Sequence, residues 1–193
     1  MILEIRTYGD PVLRQKGRRI ERVTDDIRQL ADDMVETMVE AGGVGLAAQQ
    51  IGRAIQLTVI DTRPSDRPWI FTAMDGQVID PDKAMPLVLL NPTLHNPRGE
   101  EKGVEGCLSV PEISADIVRA EVVEVHADSL QGGPIVFQCS GLLARCVQHE
   151  VDHLQGILFI DRMDAATRAA LSGQLKRLQK ETRDALALQR GKR

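Results

Sequence analysis

Aromatic side chains are nearly missing from this chain, with one Trp, one Tyr and three Phe in 193 residues. Aliphatic side chains must therefore fill its core. Cysteine is scarce as well. Three Cys is a low, odd number that implies no disulfide scaffold and no disulfide partner, fits the reducing cytoplasm, and leaves at least one thiol free for other chemistry. No apolar run is long enough to cross a bilayer, so no membrane role is expected. The opening stretch, 1–15, has neither a long apolar region nor a small-residue cleavage site and is not rich in Ser and Arg, so it is read as neither signal peptide nor transit sequence. There is no internal repeat and no sign of a second domain.

What is present is globular in character, with 42% apolar and 27% charged residues. One domain spanning 1–193 is expected. The net charge of -4 is unevenly placed. Residues 162–193 hold nine Lys/Arg against three Asp/Glu, or +6, which leaves 15 against 25, or -10, on the rest. A basic tail on an acidic body suits an anionic partner, although a solvated helix face reads equally well.

The richest stretch is 140–156. Ser140 stands where a helix would be capped and Gly156 where it would stop. Between them lies HExxH. His149 and His153 are four apart and share one helix face, a spacing that lets two imidazoles bind one divalent metal with Glu150 beside them for proton transfer. The alternative is an amphipathic helix that carries two His by accident. With only four His in the chain, that is the weaker reading.

In chain order, Val12, Leu13 and Ile20 anchor an N-terminal arm that suggests no chemistry. Thr24 caps a helix whose apolar residues, Ile27 to Val39, step by three and four. Gly42-Gly43 stops it, and its two Met belong to the core. The segment GVGLAAQQ, 43–50, is small-residue-rich. It is a poor phosphate cradle, because it lacks both the Lys-Ser/Thr and the G-x-G-x-x-G spacing. A tightly packed turn and strand is favoured, with an edge able to pair with a peptide as the alternative. Ile55, Leu57 and Val59 alternate with Gln56 and Thr58, which predicts a strand at 55–59. Residues 61–86 read as a long surface connection, with a hairpin around Asp75-Gly76. Leu87–Leu90 reads as a buried strand ended by Asn91-Pro92, with His95 a surface residue in the turn-rich segment beyond. Gly106 permits close approach beside Cys107, and Pro111 holds Val110 extended. Residues 117–127 and 135–137 form a hairpin that feeds the HExxH helix, with His126 an ordinary surface residue. Residues 157–160 read as a short strand. A basic C-terminal helix spans about 164–188, with its 190–193 end frayed. The expected fold is α+β, with mostly antiparallel sheets around the central HExxH helix plus an N-terminal and a C-terminal helix.

A catalytic metal wants three protein ligands and one open position. The extended metzincin pattern needs His where Phe159 stands. Glu181 sits awkwardly on the basic tail. Cys146 is seven residues from His153, a rise of roughly 10 Å, so it cannot join both imidazoles. Cys107 meets no such objection and completes a Cys-His-His set. The donor set by itself suits zinc well.

GVGLAAQQ at 43–50, EGCLS at 105–109 and QHEVDH at 148–153, in that order, resemble the peptide deformylase family, as do the GDPVLR, LLAR and LFIDR runs. The resemblance covers nearly the whole chain and implies metal-dependent removal of the formyl group from N-formylmethionyl peptides as nascent chains mature in the cytoplasm. It implies that Cys107, His149 and His153 bind the metal and that Glu150 is the general acid/base. Gln50 and the Leu108 N–H would stabilise the oxyanion, and Gly43, Val44, Gly45 and Gly106 would line the substrate. Fe(II), one per chain, is the implied ion, with Zn(II) or Ni(II) able to substitute. The basic C-terminal helix would touch the ribosome. The 61–86 connection is longer than usual for the family and leaves the rim of the cleft undefined. Two rivals remain at this stage, a zinc endopeptidase and a structural metal module.

Overall fold

The computed structural model describes residues 1–74 and 76–190. Asp75 and the end of the tail, 191–193, lie outside the described residues.

Among the described residues, eight strands and four helices form two sheets with helices between and around them. α1 is Asp25–Glu40, capped by Thr24 as its spacing predicts. β1 (Gly45–Ala47), β2 (Leu57–Ile60), β3 (Trp69–Ala73), β4 (Leu87–Arg98), β7 (Val122–Asp128) and β8 (Pro134–Ser140) make an antiparallel sheet in the order β1-β2-β4-β7-β8-β3. β5 (Glu101–Cys107) and β6 (Val110–Arg119) form a separate hairpin. α2 is a single turn, Pro81–Ala84. α3 is Gly141–Leu154, and α4 is Ala165–Arg190.

Burial at the β1-β2-β4 end explains the composition. Leu57, Val59 and Leu90 pack with Met34 and Met38 of α1, while Ile60, Leu87 and Leu89 pack with Leu143 and Val147 of α3. The two helices therefore cover opposite faces of the same strands. That is why Thr58, although it alternates with apolar Leu57 and Val59, is fully buried, with its hydroxyl donating to the Leu46 carbonyl at 3.0 Å. A second core joins β6 to the N-terminal arm and α4 through Leu13, Ile117, Phe159 and Leu175.

Several expectations are corrected. The 61–86 segment is no mere surface connection, because β3 adds to the sheet edge by pairing with β8. The chain does turn back beyond β3, with Ala73 N–H donating to Gln77 O at 2.8 Å. Asn91-Pro92 does not end β4. Asn91 adopts φ 51°, the register shifts between Leu90 and Thr93, and pairing resumes, so exposed His95 lies on a strand. A bulge of this kind bends a strand without terminating it. Residues 117–127 are split, since β6 ends at Arg119 and β7 starts at Val122 in the other sheet. Residues 157–160 form no strand. A 3-10 turn, Phe159–Asp161, takes their place, and Asp161 accepts the Leu158 N–H at 2.9 Å. Ser140 occupies the N-cap of α3 without a side-chain capping bond, and the chain leaves α3 through Gly156 at φ 75°.

Candidate metal centre and cleft

α3 is buried on nearly every side, between the large sheet and the β5–β6 hairpin. Its i,i+4 periodicity brings the His149 and His153 rings to a centroid distance of 5.0 Å. Cys107 ends β5, where the register shifts on entering the turn to β6. That turn carries its sulfur to 3.2 Å from His153 Nε2. One ligand atom from each of Cys107, His149 and His153 lies within 4.8 Å of the others. Cys139 and Cys146 pack in the sheet-side core, where burial pushes the Cys139 thiol up to about 12 and the Cys146 thiol higher still.

Glu150 lies beside the three donors and is 4% exposed. Gly45 makes its place, because a Cβ there would fall 2.4 Å from Glu150 Oε1. Burial pushes the Glu150 carboxyl up to about 7, against the charges of His149 and Arg119. Gln50 is oriented from both ends. Its Oε1 accepts the Ala47 N–H at 2.8 Å, so its amide nitrogen must face Ser109 Oγ at 3.3 Å and Cys107 Sγ at 3.5 Å. A cavity of about 630 Å³ joins Gln50, Cys107, Leu108, His149 and Glu150, and Gly43, Val44, Gly45 and Gly106 line it as well. The Gly43 site is crowded, since a Cβ there would lie 2.8 Å from Leu108 Cδ1, within reach of a side-chain shift. Gly106 is not required for space, because a Cβ there would meet only the Ile113 carbonyl, at 3.9 Å. His95 and His126 sit elsewhere, on β4 and β7 of the large sheet, with ring centroids 4.4 Å apart.

Sequence reasoning passed over Glu105. Its carboxylate accepts from Arg119 Nε and Nη2, each at 2.9 Å, from Arg145 Nη1 at 2.8 Å, and from His149 Nδ1 at 3.0 Å. Desolvation would raise its pKa, but Arg119 and His149 outweigh that and hold it well below the usual carboxylate range. Arg119 continues to Asp152, which also pairs with Arg162. Glu105 thus fixes the His149 ring and leaves Nε2 free for a ligand role, as outer-shell carboxylates do at metal-binding histidines. An acidic residue two positions before Cys107, inside a strand that turns it inward, was the available signal.

The donors fit a divalent metal. Desolvation opposes a proton on His149, yet Cys107 and Glu105 raise its pKa to about 10. Burial, reinforced by the charge of His149, pushes His153 well below its usual value. A thiol and two imidazoles brought within 4.8 Å of one another are the soft and borderline donors that a divalent transition metal takes. Glu150 Oε2 is buried without a hydrogen-bond partner, leaving an acceptor free next to the cluster.

A family model described as polypeptide deformylase matches residues 2–169. The chain is similar to a peptide deformylase of Opitutus terrae, with 46% identity over 190 residues, 97% of this chain and 98% of the relative. One from Methylacidiphilum infernorum is 41% identical over 180 residues, 93% of this chain and 94% of the relative. Among solved structures, the peptide deformylase of Thermus thermophilus superposes with a TM-score of 0.78 at 39% identity, covering 94% of this chain and 99% of that one. A plant peptide deformylase gives a TM-score of 0.81 at 33% identity, with 95% and 92% covered.

Proposed function

The chain belongs to the polypeptide deformylase family, whose enzymes hydrolyse the N-formyl group from nascent peptides, and we propose how its own residues divide that work. Cys107, His149 and His153 hold the catalytic metal on which the family depends. The observation that carries this reading is the convergence of the three donors within 4.8 Å, beside a buried carboxylate in one cavity. When bound, a divalent metal acidifies water and polarises a carbonyl.

Glu150 is the proton carrier. Its raised pKa suits a group that both accepts and donates near neutrality, although the ion's own charge lowers it again. It takes the proton of the attacking water and returns it to the leaving amine, so that formate and a free amino terminus result. Gln50, its amide already aimed by Ala47, donates to the formyl oxygen together with the Leu108 N–H as negative charge grows there. Losing one such donor raises a barrier by about 3 kcal/mol. Gly45 lies against the formyl group or the peptide backbone, with Gly43, Val44 and Gly106 along the cleft. The substrate is an N-formylmethionyl peptide, and a formyl carbon, bearing only hydrogen, fits a glycine-lined site that refuses bulkier acyl groups.

The ion is Fe(II), with Zn(II) or Ni(II) able to replace it. Metal analysis after anaerobic purification tests this, and a protein so purified that holds zinc and no iron overturns it. The reduced cysteines suit the cytoplasm, where nascent chains emerge. The basic α4 region suits a ribosomal contact, and binding to ribosomes should weaken as salt rises. Indifference to salt counts against it. Among the described residues, no helix is long and apolar enough to cross a membrane.

Two variants test the assignments. Glu150→Ala should keep the metal and lose turnover, whereas Cys107→Ala should lose metal. Near-normal activity in the first, or unchanged metal content in the second, removes that residue from its role. Cleavage of internal bonds in unformylated peptides would favour the endopeptidase alternative.

A further inference from the structure

The segment leading into β3 reaches the cleft. Pro68 O accepts the Leu142 N–H at 3.1 Å, and Trp69 bridges to Gly141. Gly141 makes this approach possible: its φ is +61°, and a Cβ there would fall 2.4 Å from Pro68 O. The residue just before Pro68 is therefore fixed against the start of α3. It is Arg67, which is exposed and lines the same cavity as Cys107 and Glu150. Its Nη1 donates to the Val104 carbonyl at a long 3.4 Å, and its backbone N–H donates to Ser65 Oγ at 3.3 Å. Among the described residues, no carboxylate pairs with it.

Of the other charges around the cavity, Arg145 and Glu105 bond each other at 2.8 Å and Glu150 lies at the metal cluster, while Glu112 stands exposed on β6, its neighbour Arg177 being paired with Glu181. Among the described residues, Arg67 is the cation of this rim without a carboxylate partner. It touches β5 at Val104, three residues before Cys107; among the described residues β5 pairs with β6 alone, and beyond the side-chain bonds of Arg67 to Val104 O and of Arg145 to Glu101 O and Gly103 O, no strand covers its other edge. Three extended residues span about 10 Å. A peptide with its formyl group at Cys107, running along that edge, reaches Arg67 with its second or third residue.

The geometry points to Arg67 as a specificity-determining residue that favours formyl peptides with a carboxylate side chain at the second or third position. This inference rests on the deformylase reading above. An exposed rim pair contributes little, which corresponds to about a three- to fivefold preference in kcat/KM. A rim charge acts on encounter and binding, so the difference should lie in KM and shrink with salt.

The test measures formate release from formyl-Met peptides bearing Asp, Ala or Lys at the second and, separately, the third position, using the metal-loaded wild type, Arg67→Ala and Arg67→Glu. The wild type should prefer Asp at one of these positions. Arg67→Ala should level the series, and Arg67→Glu should favour Lys, with activity on the Ala peptide kept. A wild type indifferent to charge, or an Asp preference unchanged in both variants, overturns the inference and leaves the deformylase reading intact. No formate from any peptide overturns both.

Discussion

Gly45→Ala tests the placement of Glu150. Gly45 lies in extended β1, outside the positive-φ region, so alanine fits the backbone. The obstacle is the carboxylate. A Cβ at Gly45 would sit 2.4 Å from Glu150 Oε1, whereas ordinary contact starts near 3.4 Å. Glu150 must retreat by about 1 Å, and a misplacement of that size lowers turnover by about a hundredfold. Because Glu150 follows His149 on α3 without belonging to the donor set, metal content and thermal unfolding should hardly change. The assay is steady-state formate release from a formyl-Met peptide, with metal quantified in the same sample. The fall should appear in kcat more than in KM. Glu150→Asp, which shortens the side chain, should be less damaging in the Gly45→Ala background than alone, because the two changes act on one contact. A Gly45→Ala enzyme with wild-type kcat and full metal would refute the reasoning.

Other perturbations bear on the supporting structure. Glu105→Gln leaves Arg119 and Arg145 buried beside a neutral partner. Breaking a buried pair destabilises by about 3–5 kcal/mol, read as a lower urea midpoint. The same change should weaken metal affinity by about 10- to 100-fold in chelator competition, since His149 loses its anchor. Phe137→Ala removes a ring, 1% exposed, that meets Phe71 edge-on at 4.8 Å, and should lower stability by about 3–5 kcal/mol in the same denaturation experiment. Burial raises the Asp161 carboxyl, but its bond and charge with Arg14 prevail and its pKa falls. A depressed folded pKa contributes stability fully present above the unfolded value of about 3.9 and lost as pH falls through the lower folded one. The gap in urea midpoint between wild type and Arg14→Ala should therefore be wide at neutral pH and close in acid.

The HExxH helix was legible because its information is local. Two His four residues apart, with a Glu beside the first, declare a shared face without any knowledge of the fold, and Cys107, named by elimination and resemblance, is brought to the same cluster. Glu105 was illegible because its meaning depends on an arginine 14 residues away and a histidine 44 residues away. β3 was hidden by the Pro- and Asp-rich residues around it, and its partner β8 lies more than sixty residues downstream. Thr58 shows the limit of alternation, since a strand covered by helices on both faces has no outward side. The apolar run 157–160 was ambiguous in kind. A run of four apolar residues fits a strand or a buried turn equally, and a single side-chain bond from Asp161 settles which.

X-ray absorption at the metal edge of the purified, metal-loaded enzyme tests the central claim most directly. One sulfur at about 2.3 Å and two imidazole nitrogens near 2.0–2.1 Å are expected, with the sulfur signal absent in any metal retained by Cys107→Ser. A sulfur-free first shell in the wild type, or a fourth protein side chain bound to the ion, would contradict the account.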